Sequence, residues 1–212
     1  MCSGRIDLEF ILKAFLNGQD GVFVGGCKLD ECNYITHGNY DALSNVYICK
    51  KIMRHIGLNP ERLRIEFMSS ADGALLAEFT DDFTKTVKEL GPLGKSEGLD
   101  EDELKLKLEA AKKLVPYIKL VERERLRVPV KSEEEYRKFF ESAETNRLID
   151  ELITDKLSIS EILLLLNKKP LSTGEISNVL NLNPSEVAKH ISNSSRQGLI
   201  KYDESGKCYA LA

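Results

Sequence analysis

The chain has 212 residues, of which 42% are hydrophobic and 30% are charged, so its composition is that of an ordinary folded protein and not of a disordered or fibrous one. No run approaches the roughly 18 apolar residues that a membrane-spanning helix needs, and the formal net charge of −4 argues against binding polyanions with the whole surface. The N-terminus lacks the basic-then-apolar pattern of a secretory signal, so we expect a cytoplasmic protein.

The first ninety residues alternate between helical and strand patterns. Apolar spacing and glycine breaks predict, in order, a helix over 7–16, a short, fully buried strand over 21–26, a helix over 40–56, a strand over 63–69 and a helix over 71–90. A helix followed by a continuous apolar strand is typical of a parallel sheet. We therefore predict an α/β domain over residues 1–92 that is about half of a doubly wound parallel sheet, with its usual first strand missing.

A charged helical linker is predicted over residues 93–157. Residues 91–100 are rich in Gly, Pro and charge, which is typical of a boundary. The helix that follows has an apolar stripe from Leu104 to Val121, which either packs on its own protein or docks a partner. Pro116 is expected to kink or split this helix. Ser132 and Glu135 have the spacing of a capping box, which predicts a helix through about residue 155.

The last 55 residues, 158–212, predict a winged helix-turn-helix domain. An apolar helix face ends at Pro170, a short helix follows through Leu180, and Pro184 suits the first turn of a third helix whose inward side chains are Val187, Ile191 and Ser194. Two short strands around Asp203-Glu204-Ser205-Gly206 give a closing hairpin.

Five cysteines, an odd number, favour metal ligands or redox groups over disulfides in a cytoplasmic chain. Cys27 and Cys32 directly follow the first predicted strand, at the carboxyl edge of the sheet where ligands gather. If the missing strand lay beside this one, Cys2 would join them. Thiolates hold iron–sulfur clusters, and glycines 25, 26 and 38 would let the backbone approach the sulfur atoms.

Two other interpretations of this cysteine set stay open. The thiols are also compatible with small buried apolar side chains. A zinc site would need four ligands, with His37 as a candidate fourth. Cys49, on the apolar face of a predicted helix, and Cys208, in a predicted wing strand, are interpreted as structural or exposed thiols.

Several motifs in the first 92 residues resemble the delta subunit family of methyl-viologen-reducing hydrogenase. They occur in the family's order: Met1–Arg5, Asp20–Cys27, Cys32–Tyr34, Gly38–Tyr40, Gly57–Arg62 and Ser69–Gly73. The resemblance implies a 2Fe-2S cluster that includes Cys2, Cys27 and Cys32, with Arg5 and Tyr34 as neighbouring motif residues. It implies an electron-transfer subunit without catalytic residues, which relays electrons from a hydrogenase or formate dehydrogenase module to the flavin subunit of a heterodisulfide-reductase-like complex.

The chain departs from the family pattern in two ways. Lys28 and Asn33 stand where relatives usually have histidines, and the family's upstream strand and C-x-x-C cysteines are not in the sequence. We therefore expect a reading frame that was started at an internal methionine, with the rest of the cluster site encoded upstream.

The predicted winged helix has two possible partners, nucleic acid and protein. Its third helix offers Lys189, His190, Asn193, Ser195 and Arg196 as groove contacts. Residues 158–212 contain six Lys and Arg against five Asp and Glu, which is a small excess of positive charge for a domain that binds the phosphates of nucleic acid. Protein docking is therefore the favoured interpretation, and a redox-responsive DNA-binding regulator is the alternative function.

Overall fold

The computed structural model describes residues 2–34 and 38–212. In these residues the α-helices are, in order, α1 (Leu8–Leu16), α2 (Asn39–His55), α3 (Gly73–Leu90), α4 (Glu101–Arg125), α5 (Glu133–Glu141), α6 (Ala143–Ile149), α7 (Asp155–Lys168), α8 (Thr173–Leu180) and α9 (Pro184–Arg196). The strands are β1 (Val22–Gly26), β2 (Leu63–Phe67), β3 (Ile200–Asp203) and β4 (Cys208–Leu211). No helix in the described part of the chain is long and apolar enough to cross a membrane.

The N-terminal part is built on a small parallel sheet. β1 and β2 pair in parallel with Val22 opposite Leu63, and α2 forms the connection between them. The Asp7 carboxylate accepts from the Glu9 N–H at 3.0 Å and caps α1, which ends before Gly18 at φ 80°. The predicted parallel α/β pattern is confirmed, while the doubly wound arrangement stays a prediction because the described sheet has two strands.

The expectation of a fully buried first strand is wrong. Only Val24 of β1 is buried, and the other residues are partly or fully exposed. Two causes are visible. Among the described residues β1 has a partner strand on one edge only, and α3 covers the outer face thinly, mainly by packing Phe83 against Phe23 at 5.7 Å between ring centroids.

The apolar stripe of α4 lies in the same core as α1 and α2. Leu108, Ala111, Val115, Ile118 and Val121 are buried in this core, so the stripe packs on its own protein. A kink or a split was expected at Pro116, and the split is wrong because α4 continues through this residue. Its side chain is exposed between buried Val115 and Ile118, so water can hydrate the carbonyl that loses its hydrogen bond while packing holds both halves in line.

The single helix expected from Ser132 to about residue 155 is interrupted. The Ser132 hydroxyl accepts from the Glu135 N–H at 3.2 Å, as a helix cap should. A second serine stops the helix: Ser142 has an extended backbone, and its hydroxyl accepts from the Thr145 N–H at 3.1 Å, which begins α6. A π-helical turn over Asp150–Thr154 then leads into α7. Serine competes with helical hydrogen bonding through such local contacts.

The C-terminal part is a winged helix, as predicted. A capping box between Ser172 and Glu175 begins α8, Asn181 ends it in a left-handed conformation, and Pro184 begins α9. Val187, Ile191 and Ser194 are buried, as expected. β3 and β4 form the antiparallel hairpin, and Leu171 adds a bridge to Tyr209.

Arg62 is a buried charge that joins the sheet to the segment before α4. It is fully buried, and its guanidinium donates to Glu97 at 2.6 Å and to the carbonyls of Asp20 and Gly91 at 3.0 and 2.9 Å. Burial alone would raise the pKa of Glu97, but hydrogen bonds from Arg62, Ser96 and the Asn59 N–H outweigh it and lower that pKa. Both Arg62 and Glu97 therefore have hydrogen-bond partners in addition to each other, which is the condition for keeping a charged pair in a protein interior.

We expect Arg62→Ala to lower the free energy of unfolding by about 3–5 kcal/mol, because it leaves the Glu97 carboxylate buried without its partner. Arg64→Ala is the matched control, since Arg64 pairs with Glu66 and Asp82 at a partly exposed position and should cost at most about 1 kcal/mol. Urea unfolding followed by circular dichroism measures both. Equal losses for the two variants would contradict the central role of Arg62.

Candidate functional site

Three cysteines meet at the carboxyl end of β1. Cys27 directly follows the strand, Cys32 follows a short 3-10 turn, and Cys2 caps a second 3-10 turn at the start of the chain. The Sγ atoms of Cys2 and Cys32 lie 3.9 Å apart, and the Cys27 thiol interacts with both. The structure thus brings the thiols together, as the sequence predicted, while their role as cluster ligands stays a prediction.

Each thiol faces N–H donors. The Gly4 N–H donates to Cys2 Sγ at 3.4 Å, and the Asn39 side-chain amide donates to Cys27 Sγ at 3.6 Å. The same amide holds the Cys27 and Lys28 carbonyls at 2.9 and 2.8 Å, which fixes the turn between the cysteines. Cys32 receives hydrogen bonds from the backbone of Tyr34 and Asn39. Such donors stabilise negative charge on sulfur.

The thiols differ in acidity because these surroundings differ. Hydrogen bonds from the Tyr34 backbone, followed by those from Asn39, lower the pKa of Cys32 despite some burial. Burial, together with the neighbouring Cys32 and Cys2, raises the pKa of Cys27. Cys32 should therefore be the first of the two to become a thiolate.

Glycines allow the backbone segments of the site to approach closely. A Cβ added to Gly38 would lie 2.5 Å from Cys32 Sγ, and one added to Gly26 would lie 2.8 Å from Ser3 Oγ. Gly4 was missed as a packing residue, since its Cβ would lie 2.4 Å from the Gly38 carbonyl oxygen. Gly25 was also expected to allow a close approach of the backbone to the sulfur atoms. This expectation is wrong, because a Cβ added there would meet only the Phe23 ring at 3.7 Å, an ordinary contact.

The donor set fits part of an iron–sulfur site. Two thiolates on one tetrahedral metal at about 2.3 Å lie about 3.8 Å apart, which matches the Cys2–Cys32 separation of 3.9 Å. Ser3 Oγ and Asn39 Oδ1, beside these cysteines, are buried polar atoms that have no hydrogen-bond partner among the described residues. Within residues 2–34 and 38–212, no group of three or more His, Cys, Asp or Glu side chains is arranged to hold a metal ion. His37, the candidate fourth zinc ligand, lies outside the described residues.

The other two cysteines lie away from this site. Cys49 is fully buried in α2, and burial raises the pKa of its thiol to about 12. Cys208 is half-buried in β4. Both positions agree with their interpretation as structural or exposed thiols.

The candidate DNA-contacting face of α9 differs from its prediction in one residue. Lys189, Asn193, Ser195 and Arg196 are exposed, and Lys189 pairs with Asp155 at 3.4 Å. His190 is only 5% exposed, so its assignment as a groove contact is wrong. His190 directly precedes Ile191, and the inward face of α9 is wide enough for the side chains of both residues to be buried.

The family model of the methyl-viologen-reducing hydrogenase delta subunit matches residues 1–91, the region that contains all three clustered cysteines. The chain belongs to this family. A second model, that of bacterial regulatory proteins of the arsR family, matches residues 160–202 and agrees with the winged-helix extension.

Curated relatives show the same N-terminal similarity. The iron-sulfur subunit of the F420-non-reducing hydrogenase of Archaeoglobus profundus is 45% identical over 91 residues, which are 43% of this chain and 66% of the relative. The iron-sulfur subunit of the vhu F420-non-reducing hydrogenase of Methanococcus maripaludis is 42% identical over 91 residues, or 67% of its length.

A third relative is much longer than this chain. It belongs to the ferredoxin/F420H2-dependent CoB-CoM heterodisulfide reductase of Methanosarcina acetivorans, and it is 46% identical over 94 residues, which are 44% of this chain and 12% of the relative. The family's delta-subunit region therefore also occurs inside a larger polypeptide. The chain spans only about an eighth of that relative and about two thirds of the two hydrogenase subunits.

We expect iodoacetamide to modify Cys32 before Cys27 in the folded, metal-free protein near neutral pH, because the thiolate reacts and the pKa is lowered for Cys32 but raised for Cys27. Buried Cys49 should stay unmodified until the protein unfolds. Peptide mass mapping over time measures the order, and a sample unfolded in urea is the control in which the differences should disappear. Modification of Cys27 ahead of Cys32 would contradict the hydrogen-bond assignment.

Proposed function

We propose that this chain is an electron-transfer subunit that holds a 2Fe-2S cluster through Cys2, Cys27 and Cys32, together with ligands beyond these three. The proposal depends chiefly on the meeting of three thiols and their N–H donors at the end of β1. It is supported by relatives that are named iron-sulfur subunits of hydrogenases. An iron–sulfur cluster supplies one-electron transfer when bound.

Residues of the chain would tune such a site in a simple way. Gly4, Tyr34 and Asn39 donate N–H groups to the three sulfur atoms and offset their negative charge. Such donors favour the reduced, more negative state and raise the reduction potential. The proposal needs no catalytic residue, since no substrate beyond electrons is transformed.

The proposed partners follow from the relatives. The electron donor would be a hydrogenase module, which the names of curated relatives support, or the formate dehydrogenase module that the family resemblance implies. The acceptor would be the flavin subunit of a heterodisulfide-reductase-like complex. The occurrence of a similar region inside a longer heterodisulfide reductase polypeptide supports this pairing, because domains that share a chain in one organism often bind each other as separate proteins in another.

The sheet suggests how the α/β part is completed. Among the described residues, β1 pairs with β2 and leaves its other edge without a strand. We propose that a further parallel strand occupies this edge and extends the sheet to the doubly wound arrangement. It would lie beside Cys27 and bring additional ligands to the same carboxyl end.

A redox-responsive DNA-binding regulator is the second candidate function. The arsR-family match over residues 160–202 and the exposed Asn193, Ser195 and Arg196 of α9 favour it. The small charge excess of residues 158–212 and the pairing of Lys189 with Asp155 weaken it.

We expect protein reconstituted anaerobically with iron and sulfide to bind both and to give an electron paramagnetic resonance signal on reduction. Cys27→Ser, Cys32→Ser and Cys2→Ser should each lower bound iron and the signal, because each removes a thiolate ligand. Cys49→Ser and Cys208→Ser are matched controls that should keep both. Iron-free, colourless protein, or equal losses in the controls, would contradict the cluster.

For the DNA alternative, we expect a labelled duplex to bind weakly and without sequence preference. If the chain is instead a regulator, binding should fall steeply with salt, and Arg196→Ala should reduce the slope of log affinity against log salt by about one. Fluorescence anisotropy measures this slope. Selective binding that Arg196→Ala weakens would favour the regulator over the electron-transfer subunit.

A further inference from the structure

A wide groove with a volume of about 1530 Å³ opens beside Cys2. One wall comes from residues 2–7, Tyr34 and the start of α2, which lie in the family-matched region. The other wall comes from the C-terminal half of α4 and the segment after it, as far as Tyr136. The second wall lies outside the match to the delta-subunit family, so the groove is a feature that the N-terminal similarity does not account for.

The second wall is strongly basic. Residues 111–131 contain seven Lys and Arg against two Glu, although the whole chain has a net charge of −4. Five basic side chains line the groove against three acidic ones: Arg5, Lys119, Arg123, Arg127 and Lys131 against Asp7, Asp41 and Glu122. A local excess of positive charge therefore lies next to the cysteine site in an acidic protein.

The basic residues form a row along the groove. Lys119 and Arg123 lie about one helical turn, roughly 6 Å, apart in α4, and Arg127 lies just beyond the end of the helix, where its guanidinium donates to the Arg123 carbonyl. Lys119 pairs with Asp7 across the groove, and Arg123 pairs with exposed Glu124. Basic residues distributed along the groove in this way match an extended acidic surface better than a single small anion.

Exposed apolar side chains lie among the charged residues that line the groove. Leu120 is 48% exposed and Tyr34 is 61% exposed, and both line the groove. Transient complexes between electron-transfer proteins commonly use small interfaces, in which a few apolar contacts lie close to the redox group and surrounding charges steer the encounter. The groove beside Cys2 has both parts of that arrangement.

We propose that this groove docks a small acidic redox protein, which exchanges electrons with the cysteine site through its Cys2 side. The proposal rests on the electron-transfer function proposed above and adds a further partner, with the surface that binds it and the charge that attracts it. Arg123 and Arg127 steer the acidic partner, and Leu120 and Tyr34 contact it close to Cys2. Salt should slow association, since the attraction acts between exposed charges.

A plant-type 2Fe-2S ferredoxin, a small acidic protein, is the probe. We expect it to bind the full chain, with an association rate that falls as ionic strength rises. The double variant Arg123→Glu/Arg127→Glu should lower the rate at low salt by about tenfold or more. Lys168→Glu/Lys169→Glu is the matched control, because it makes the same change in net charge at exposed positions at the end of α7 and should leave the rate almost unchanged.

The measurement is stopped-flow binding, repeated with metal-free and reconstituted chain, with circular dichroism to confirm that each variant folds. Binding without electron exchange in reconstituted chain would refute the electron-transfer function and leave the docking surface in place. Absence of ferredoxin binding, or equal losses in both double variants, would overturn the docking proposal. Tight binding of inorganic pyrophosphate that only Arg123→Glu/Arg127→Glu abolishes, without ferredoxin binding, would assign the groove to a free anion and also overturn it.

Discussion

Arg62 carries a full positive charge in the interior, and the arrangement of the N-terminal part depends on how that charge is neutralised. Its guanidinium reaches the chain before β1 at Asp20, the end of α3 at Gly91, and Glu97 ahead of α4. Since β2 begins at the next residue, one side chain fixes both strands and the approach to α4. A buried guanidinium has to satisfy its donors, so these segments cannot shift independently.

This constraint connects the cysteine site to the groove beside it. β1 presents Cys27 at its carboxyl end, and α4 supplies the basic wall that faces Cys2. The Arg62 cluster joins the segments that lead into β1 and α4, and the packing of α4 against α1 in the core then places the basic wall, although the cysteines and the basic residues lie about a hundred positions apart in the sequence. The proposed electron-transfer site and the proposed docking surface, placed together in this way, would let a partner approach the thiols along one defined direction.

Local patterns predicted much of the fold. The errors arose where another interaction outweighed the pattern on which the prediction was based. Apolar spacing gave α2, α4 and the winged helix because each buries one continuous face. Ser142 interrupted a helix that the pattern continued, because its hydroxyl caps a new one. Pro116 did not split α4, because buried neighbours on both sides hold the helix together. His190 was assigned to the outer face, although the inward stripe of α9 is wide enough to include it.

The sequence by itself determined the family, the position of Cys27 and Cys32 after a strand, and the winged helix, since motifs and periodicity are properties of neighbouring residues. Tertiary structure decided part of the difference in thiol acidity: the N–H of Tyr34 is a local donor two residues from Cys32, whereas that of Asn39 reaches Cys32 where Gly38 packs against its sulfur atom. It also decided that Cys2 lies 3.9 Å from Cys32 and that the basic C-terminal half of α4, outside the family match, lines the same groove. The approach of Cys2 to Cys32 and the shared groove are contacts between distant segments, which no local pattern encodes.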